Sequence, residues 1–174
     1  MYIGKINRIF DYDKWLVRAA DKEEARDVPI GSFIRVNDSA IGAIVGHIQD
    51  VPDDYLANEI TGETSKNIFI NELGEENAFF KVLGIGELNS ENYKIKAPPR
   101  LKQEVYLLED EDIREFHKRE GEFSFEYYSD IIDFEKIEPE IIVKILDQLE
   151  KAFRDSDETK KLIDALKKHT RRIK

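Results

Sequence analysis

The stretch KVLGIGEL, residues 81–88, carries two glycines that distinguish between two kinds of fold. A phosphate-binding G-x-G-x-x-G loop needs a third glycine and opens a helix, whose free backbone N–H groups meet the phosphates. Here Gly86 is followed by ELNSEN, which is a turn-forming segment. In a strand, alternation would place Gly84 and Gly86 on one face, together with Phe80 and Val82. Two glycines on one face permit a sharp bend or a closely packed neighbouring strand, so the stretch predicts a strand of a small barrel.

Several short segments before residue 108 have the composition of β-strands. They are rich in β-branched and aromatic residues, and Gly, Pro, Asn or Asp separate them. Such strands without intervening helices predict a closed barrel or a sandwich. VNDSA at 36–40 predicts a hairpin turn, and the polar segment 49–66 predicts a long surface loop. The predicted strands are YIGKINRIF (2–10), KWLVRAA (14–20), SFIRVN (32–37), AIGAIVGHI (40–48), NIFIN (67–71), AFFKVLGIGEL (78–88) and QEVYLL (103–108).

Helical signals begin after residue 108. The segment EDEDIREFHKREG, residues 109–121, has acids at its start, bases at its end and Gly121 where a C-cap glycine is expected. The segment EFSFEYYSDIIDFEKIE, residues 122–138, is dense in aromatic side chains. We expect it to cross the surface of the barrel as a connecting segment.

Residues 139–174 predict a hairpin of two amphipathic helices. Pro139 suits the first turn of a helix that runs to about Arg154, and DSDE (155–158) offers an N-cap for a second helix. The chain therefore divides into a β-barrel domain (1–108), a helix with an aromatic connecting segment (109–138) and a helical hairpin (139–174). An apolar stripe runs along the hairpin, and its leading members are Ile141, Ile145, Leu149, Leu162 and Leu166.

The composition excludes several classes of protein. The chain has no cysteine, which excludes disulfides, thiolate metal sites and cysteine nucleophiles. No apolar run approaches the ~20 residues of a membrane-spanning helix, and MYIGKINRIF lacks the order of a signal peptide. We therefore expect a cytoplasmic protein with no membrane partner. Charged residues make up 37% of the chain, with one Met, and a Lys- and Glu-rich composition of this kind is typical of thermophiles, so we expect an archaeal source.

The charge of −10 is unevenly distributed. Residues 157–174 contain seven Lys or Arg against three Asp or Glu, a balance of +4 that leaves −14 for residues 1–156. A body with this charge repels a phosphate backbone, since affinity for nucleic acids depends largely on neutralising phosphates. Direct binding to nucleic acid is therefore disfavoured. It remains an alternative because Trp15 and the aromatics at 123–128 could stack on bases.

The order of the β-like segments resembles the small barrel of HerA-type ATPases and rotary ATP synthase subunits, known as the HAS barrel. The resemblance covers residues 1–108 and rests on Val82-Leu83-Gly84, the proline pair, and Val105-Tyr106-Leu107. It implies a small closed β-barrel, which in those families forms a crown on a ring and offers a docking surface. In such a barrel the residues with structural roles would be Gly42, Gly46, Gly84, Gly86, Pro98 and Pro99.

The sequence differs from those families in the nucleotide-binding motif by which their ATPase domain is recognised. No G-x-x-x-x-G-K-[ST] string occurs, and GETSK at 62–66 has the letters without the spacing. A P-loop needs its successive N–H groups and its Lys to hold the phosphates. We therefore expect no ATP hydrolysis by this chain and no nucleotide cofactor.

Other chemistry-bearing residues form no recognisable pattern. His47, His117 and His169 lie far apart, and no H-E-x-x-H face is formed, so no metal site is predicted. His117 is interpreted as part of a solvated helix face, and His47 as a satisfied histidine of the core or rim. The acid pairs 53–54 and 75–76 are expected by chance in so acidic a chain, and no G-x-S-x-G surrounds Ser32, Ser39 or Ser65. The basic cluster KKHTRR (167–172) complements a helix C-terminus, with contact to a phosphate or an acidic partner as the alternative. No catalytic residue is predicted.

These observations favour a non-catalytic interaction module, which by analogy would self-associate or bind a nuclease or ATPase that acts on DNA ends. The alternatives are the N-terminal part of a HerA-type DNA-translocating ATPase and a small-barrel nucleic-acid-binding protein. We expect the binding elements to be the 49–66 loop and the apolar stripe of the hairpin. Because an exposed stripe of this size is rare on a monomer, it should be buried against the barrel or, as the preferred alternative, against a neighbouring molecule.

Overall fold

The structure is a computed structural model, and it describes residues 1–37, 39–51, 77–88, 93–119, 121–132 and 137–172. The predicted strand at 67–71 lies outside these residues, as do the acid pairs 53–54 and 75–76. Most of the predicted loop at 49–66 also lies outside them. Its first three residues, 49–51, belong to a strand instead of a loop.

Six of the described strands close into an antiparallel barrel, in the order β1-β2-β5-β4-β3-β6. The prediction of a small closed barrel is therefore confirmed. Each strand coincides with one of the segments that composition had selected, and the bounds are β1 Tyr2–Asp11, β2 Lys14–Ala19, β3 Phe33–Val36, β4 Ala40–Val51, β5 Asn77–Glu87 and β6 Glu104–Leu107.

The interior of the barrel is filled by apolar side chains from every strand. Trp15 and Phe80 are its largest members, and each is about 1% exposed. Two glycines make room for the indole ring, because a Cβ on Gly42 would lie 3.2 Å from Trp15 Cζ3 and a Cβ on Gly84 would lie 2.6 Å from Trp15 Cζ2. The two glycines therefore allow close packing of β4 and β5 around Trp15.

Simple alternation had predicted that Gly84 and Gly86 of β5 lie on one face of the strand. In the structure they lie on different faces. Ile41 pairs with Gly86 and Gly42 pairs with Gly84, so β5 contains one extra residue between two neighbours of β4. This bulge turns Gly86 to the outside, where a Cβ would lie 3.2 Å from Phe116 Cζ. A Cβ on Gly46 would make only an ordinary 3.5 Å contact with Lys81, so packing does not require glycine there. Of the proline pair, which precedes β6, Pro99 is buried and Pro98 is half-buried.

Helices cover one outer side of the barrel and form a second core with it. Barrel residues Phe33, Ile41, Leu83 and Ile85 belong to the same buried cluster as side chains from every later helix. The described helices are α1 Lys22–Asp27, α2 Asp110–Phe116, α3 Tyr128–Ile132, α4 Pro139–Ala152 and α5 Asp157–Thr170, and a two-stranded hairpin is formed by β7 Lys118–Arg119 and β8 Glu122–Phe123. No helix within these described ranges has the length and apolar character needed to cross a membrane.

The described part of the segment 122–138, which was predicted to cross the surface of the barrel, is buried more deeply than a surface connection, and the helix predicted at 109–121 is shorter than expected. The helix α2 ends at Phe116, and the chain turns back at Gly121, whose φ of +87° belongs to the β7–β8 turn and not to a helix C-cap. Tyr127 and Ile131 are 2% and 1% exposed, which makes them part of the second core. The reason is that the barrel's outer face is itself apolar and is covered by these residues.

The predicted αα-hairpin is confirmed. Pro139 opens α4, and the Ser156 hydroxyl caps α5 by accepting a hydrogen bond from Thr159 N at 3.3 Å. Ile145 and Leu149 are both 0% exposed within the single chain. The expectation that a neighbouring molecule covers this part of the stripe is therefore wrong, because the barrel and the other helices cover it already.

Candidate interaction site

Leu162 is more exposed than the other four members of the predicted stripe. Ile145 and Leu149 are buried, and Ile141 and Leu166 are half-buried against the same chain. Leu162 is 46% exposed on the outer side of α5. A large apolar side chain with this exposure is available to a partner, and in this set it is the one that the fold leaves uncovered.

Leu162 lies on the edge of a groove of about 700 Å³ between the β7–β8 hairpin and the turn from α4 to α5. Phe123, Ala152 and Phe153 form the apolar part of the groove lining, in which Phe123 is half-buried and Ala152 and Phe153 are buried. Phe123 and Phe153 contact each other edge to face, with ring centroids 5.0 Å apart. The groove therefore combines an apolar part of its lining with one exposed apolar side chain, Leu162.

Charged side chains surround this apolar surface. Glu122, Asp155 and Glu158 line one part of the groove, and Arg114 and Lys118 line another. The Arg114 guanidinium is already engaged, because its Nη1 donates a 2.8 Å hydrogen bond to Ala152 O at the end of α4. That bond satisfies a carbonyl that the helix end would otherwise leave free. The acidic side chains are thus the larger set of charges open to a partner.

His117 lies at the centre of the second core and not on a solvated helix face. Its side chain is 0% exposed. Nδ1 donates to Ile113 O at 2.7 Å, and Nε2 accepts a hydrogen bond from the Tyr127 hydroxyl at 2.5 Å. The sequence interpretation was wrong because α2 ends one residue before His117, so the ring does not follow the acidic face of that helix.

Burial dominates the titration of this pair. Desolvation lowers the pKa of His117 to about 3, with a smaller contribution in the same direction from the Arg119 charge. Burial likewise raises the pKa of Tyr127 well above its usual value. A neutral imidazole hydrogen-bonded on both nitrogens and sealed from solvent is a structural element. It offers no access to a substrate.

The basic cluster at 167–172 is divided by the structure. Lys167 is only 8% exposed, and its ammonium group contacts Asp147 Oδ1 at 2.7 Å and the Glu150 carboxylate. Burial alone lowers the pKa of Lys167, but the hydrogen bonds and charges of Asp147 and Glu150 outweigh it, so the pKa is raised. This lysine joins α5 to α4, whereas Lys168, Arg171 and Arg172 remain exposed.

Two further residues considered at the sequence level lie elsewhere. Trp15 is 1% exposed inside the barrel and donates from Nε1 to Tyr12 O at 2.9 Å, so it cannot stack on a base. His47 is half-buried and packs edge to face on Phe80. Its Nε2 has no hydrogen-bond partner in the described part of the chain, so it is not a satisfied histidine. Burial, followed by the charge of Lys144, lowers its pKa.

No group of three or more histidines, aspartates or glutamates that could hold a metal occurs within the described ranges. Of the groove residues, Phe123 was considered in the sequence only as a stacking aromatic and Asp155 only as part of an N-cap segment, and Glu122 was not considered as a site residue. Their proximity depends on the β7–β8 turn meeting the end of α4, and sequence spacing does not reveal this contact.

The architecture is that of a small β-barrel protein with a helical layer on one side. Residues 94–172 match the model of a domain of unknown function, DUF8166, over somewhat less than half of the chain. No curated protein matches the chain. The matched region contains β6, the β7–β8 hairpin and every described helix from α2 to α5. The groove and Leu162 lie entirely inside it, together with the last strand of the barrel.

Proposed function

We propose that this chain is a non-catalytic barrel module for protein–protein interaction or oligomerisation, and that it acts with a HerA-type DNA-processing ATPase or nuclease. The observation that carries the proposal is the exposed Leu162 in the same groove as the half-buried Phe123. Binding sites between proteins typically combine an apolar centre with a charged rim. The groove has this composition.

The proposal of a non-catalytic role draws on the placement of the reactive side chains. The most strongly shifted titratable pair, His117 and Tyr127, is enclosed in the core. Functional sites are expected where shifted groups lie in a cleft. Here neither member of the pair lines the groove, because His117 lies behind Phe123 and Phe153 and is itself buried, which favours a binding surface over an active site.

The proposed link to HerA-type systems draws on the resemblance of residues 1–108 to the HAS barrel. The strands that carry the resemblance, Val82–Gly84 and Val105–Leu107, belong to β5 and β6 of the closed barrel. The partner would be a protein, because the body carries −14 and Trp15 is not exposed for stacking on bases.

The proposal is tested by placing a photo-crosslinking amino acid at position 162 of the full chain. The matched control carries it at position 101, because Leu101 is 58% exposed on the barrel. We expect position 162, and not position 101, to crosslink to one protein in extract of the native organism. Purified partner should then bind the wild-type chain and Leu101→Glu, and bind Leu162→Glu at least tenfold more weakly.

Two results would overturn the proposal. One is equal crosslinking at the two positions, followed by equal binding of Leu162→Glu and Leu101→Glu. The other is turnover of a substrate by the purified chain. Melting temperatures of the variants within a few degrees of wild type would show that the loss of binding is not a loss of folding.

A further inference from the structure

The outer face of α5 has the spacing of a helix–helix seam. Glu158, Leu162, Ala165 and His169 are all exposed, and Arg172 continues the row just beyond the end of the helix. The intervals alternate between four and three residues, as they do along the contact line of a coiled coil. The opposite face, with Thr159, Ile163, Lys167 and Thr170, is buried on the chain itself.

The two ends of α5 differ in the sign of their charges, although Lys160, Lys161 and Asp164 lie between them. Asp155, Asp157 and Glu158 lie just before α5 or in its first turn, and Lys168, Arg171 and Arg172 lie in its last turn or just beyond it. Such a distribution stabilises a helix by complementing its dipole. It also makes the helix complementary to a second copy of itself, provided that the two helices run antiparallel.

An antiparallel pair places unlike side chains opposite each other. With a two-fold axis between positions 163 and 164, Leu162 faces Ala165 of the second copy, so a large side chain packs over a small one. The same axis places Glu158 opposite His169 and Asp155 opposite Arg172. Each contact occurs twice, as an isologous interface requires.

The groove supports the same arrangement. Glu122, Asp155 and Glu158 line it beside the start of α5. In the antiparallel pair, the basic end of the second helix lies over this acidic part of the groove. Charge complementarity therefore extends from the helix to the hairpin surface.

We propose that the partner of this face is a second copy of the chain, which packs α5 antiparallel on α5 and lays its basic C-terminal residues over the acidic groove. This inference rests on the proposed interaction function and names its partner. The contact is small, because a 14-residue helix is only about 21 Å long. Lys161 and Lys168 also meet as like charges along its flank. The dimer is therefore weak and depends on concentration and salt.

Sedimentation equilibrium of the full chain tests the contact from about 10 µM to about 1 mM. We expect the wild-type mass to rise toward that of a dimer in low salt and to fall again in high salt. Leu162→Glu should weaken association at least tenfold, and the exposed control Leu101→Glu should not. Lys161→Glu should strengthen it, because it replaces a like-charge contact by an opposite one. A wild-type chain that stays monomeric across this range overturns the proposal.

A mixing experiment tests the antiparallel orientation. Asp155→Lys/Glu158→Lys makes both ends of the seam basic, and Lys168→Glu/Arg172→Glu makes both ends acidic. We expect each variant alone to be monomeric and the equimolar mixture to form a heterodimer. Glu24→Lys/Asp27→Lys, on exposed positions of α1, serves as the charge control and should dimerise like wild type. Failure of the mixture to associate, while the wild type dimerises, overturns the antiparallel arrangement.

The outcomes also separate this inference from the proposed function. If the chain is monomeric but position 162 crosslinks to a different protein whose binding needs Leu162, the module binds another partner and self-association is wrong. If the chain neither dimerises nor captures a protein through Leu162, both proposals fail.

Discussion

The hydroxyl of Tyr127 donates a 2.5 Å hydrogen bond to Nε2 of His117, and neither side chain is more than 2% exposed. The second imidazole nitrogen donates to Ile113 O, so α2 and the residues before α3 are joined through one ring. Phe33 of the barrel packs edge to face on the same ring, with centroids 5.2 Å apart. The pair thus connects the helical layer to the barrel by hydrogen bonds and by aromatic packing.

The buried His117 predicts a specific loss of stability in acid. Its folded-state pKa of about 3 lies below the ordinary value of 6.5, so the unfolded chain binds the proton more tightly. Its full contribution is present above pH 6.5, and stability then falls by about 1.4 kcal/mol per pH unit as the pH drops toward 3. Urea unfolding at pH 7, 6, 5 and 4 measures this slope.

The comparison variant for this slope is His117→Gln. The pH dependence of the His117 variant should be shallower than that of wild type, because the carboxylates contribute equally to both. Equal slopes for wild type and His117→Gln would contradict the assignment.

Tyr127→Phe should destabilise the protein by about 1–3 kcal/mol, since it leaves Nε2 of His117 buried without a donor. Tyr12→Phe is the matched control, because Tyr12 is 56% exposed, and its effect should be close to zero. Chemical denaturation at neutral pH measures both. Equal effects of the two substitutions would show that the buried hydrogen bond contributes nothing.

Gly84→Ala should cost about 1–3 kcal/mol, because the new Cβ would meet the Trp15 ring inside the barrel. Gly46→Ala, on a neighbouring strand of the same barrel, would meet only Lys81 at 3.5 Å and should be tolerated. Thermal unfolding of the two variants distinguishes them. If Gly84→Ala melted as wild type does, the close packing around Trp15 would not be a constraint on this position.

Lys167→Met should loosen the α4–α5 hairpin and destabilise the protein by about 1 kcal/mol, because Asp147 and Glu150 would keep their charges without a partner. The loss is limited, since both carboxylates are about half exposed and can rehydrate. Lys151→Met, at an exposed position of α4, is the control and should change little. Denaturation in low and in high salt measures the difference, which salt should reduce. A larger effect of the control would contradict the assigned contact.

Mg-ATP should leave the melting temperature unchanged, since the sequence contains no phosphate-binding loop. A ligand present at about 100 times its Kd would add about 2.7 kcal/mol of apparent stability. A thermal-shift measurement would detect that change. A clear rise in melting temperature with Mg-ATP would show that the chain binds nucleotides by a site of another kind.

The sequence alone located the barrel strands and the αα-hairpin of this protein, but it did not predict α1, which lies between β2 and β3, nor α3 or the β7–β8 hairpin. Alternating β-branched and aromatic segments selected all six barrel strands, because side chains of a strand alternate between two environments. Helical spacing, Pro139 and Ser156 located the α4–α5 hairpin for the same kind of local reason. These signals depend on neighbours a few residues away, so a single sequence contains them.

The tertiary structure decided which faces of these strands and helices are buried and which are exposed to solvent. The bulge in β5 turned Gly86 outward, and that change depends on the register with β4. Docking of the helices on the barrel buried Ile145 and Leu149 and left Leu162 exposed, although all three belong to one periodic stripe. His117 was enclosed by Phe33, Phe116 and Tyr127, of which only Phe116 is its neighbour in sequence. Burial is set by contacts between distant segments, and for that reason local pattern could not assign it.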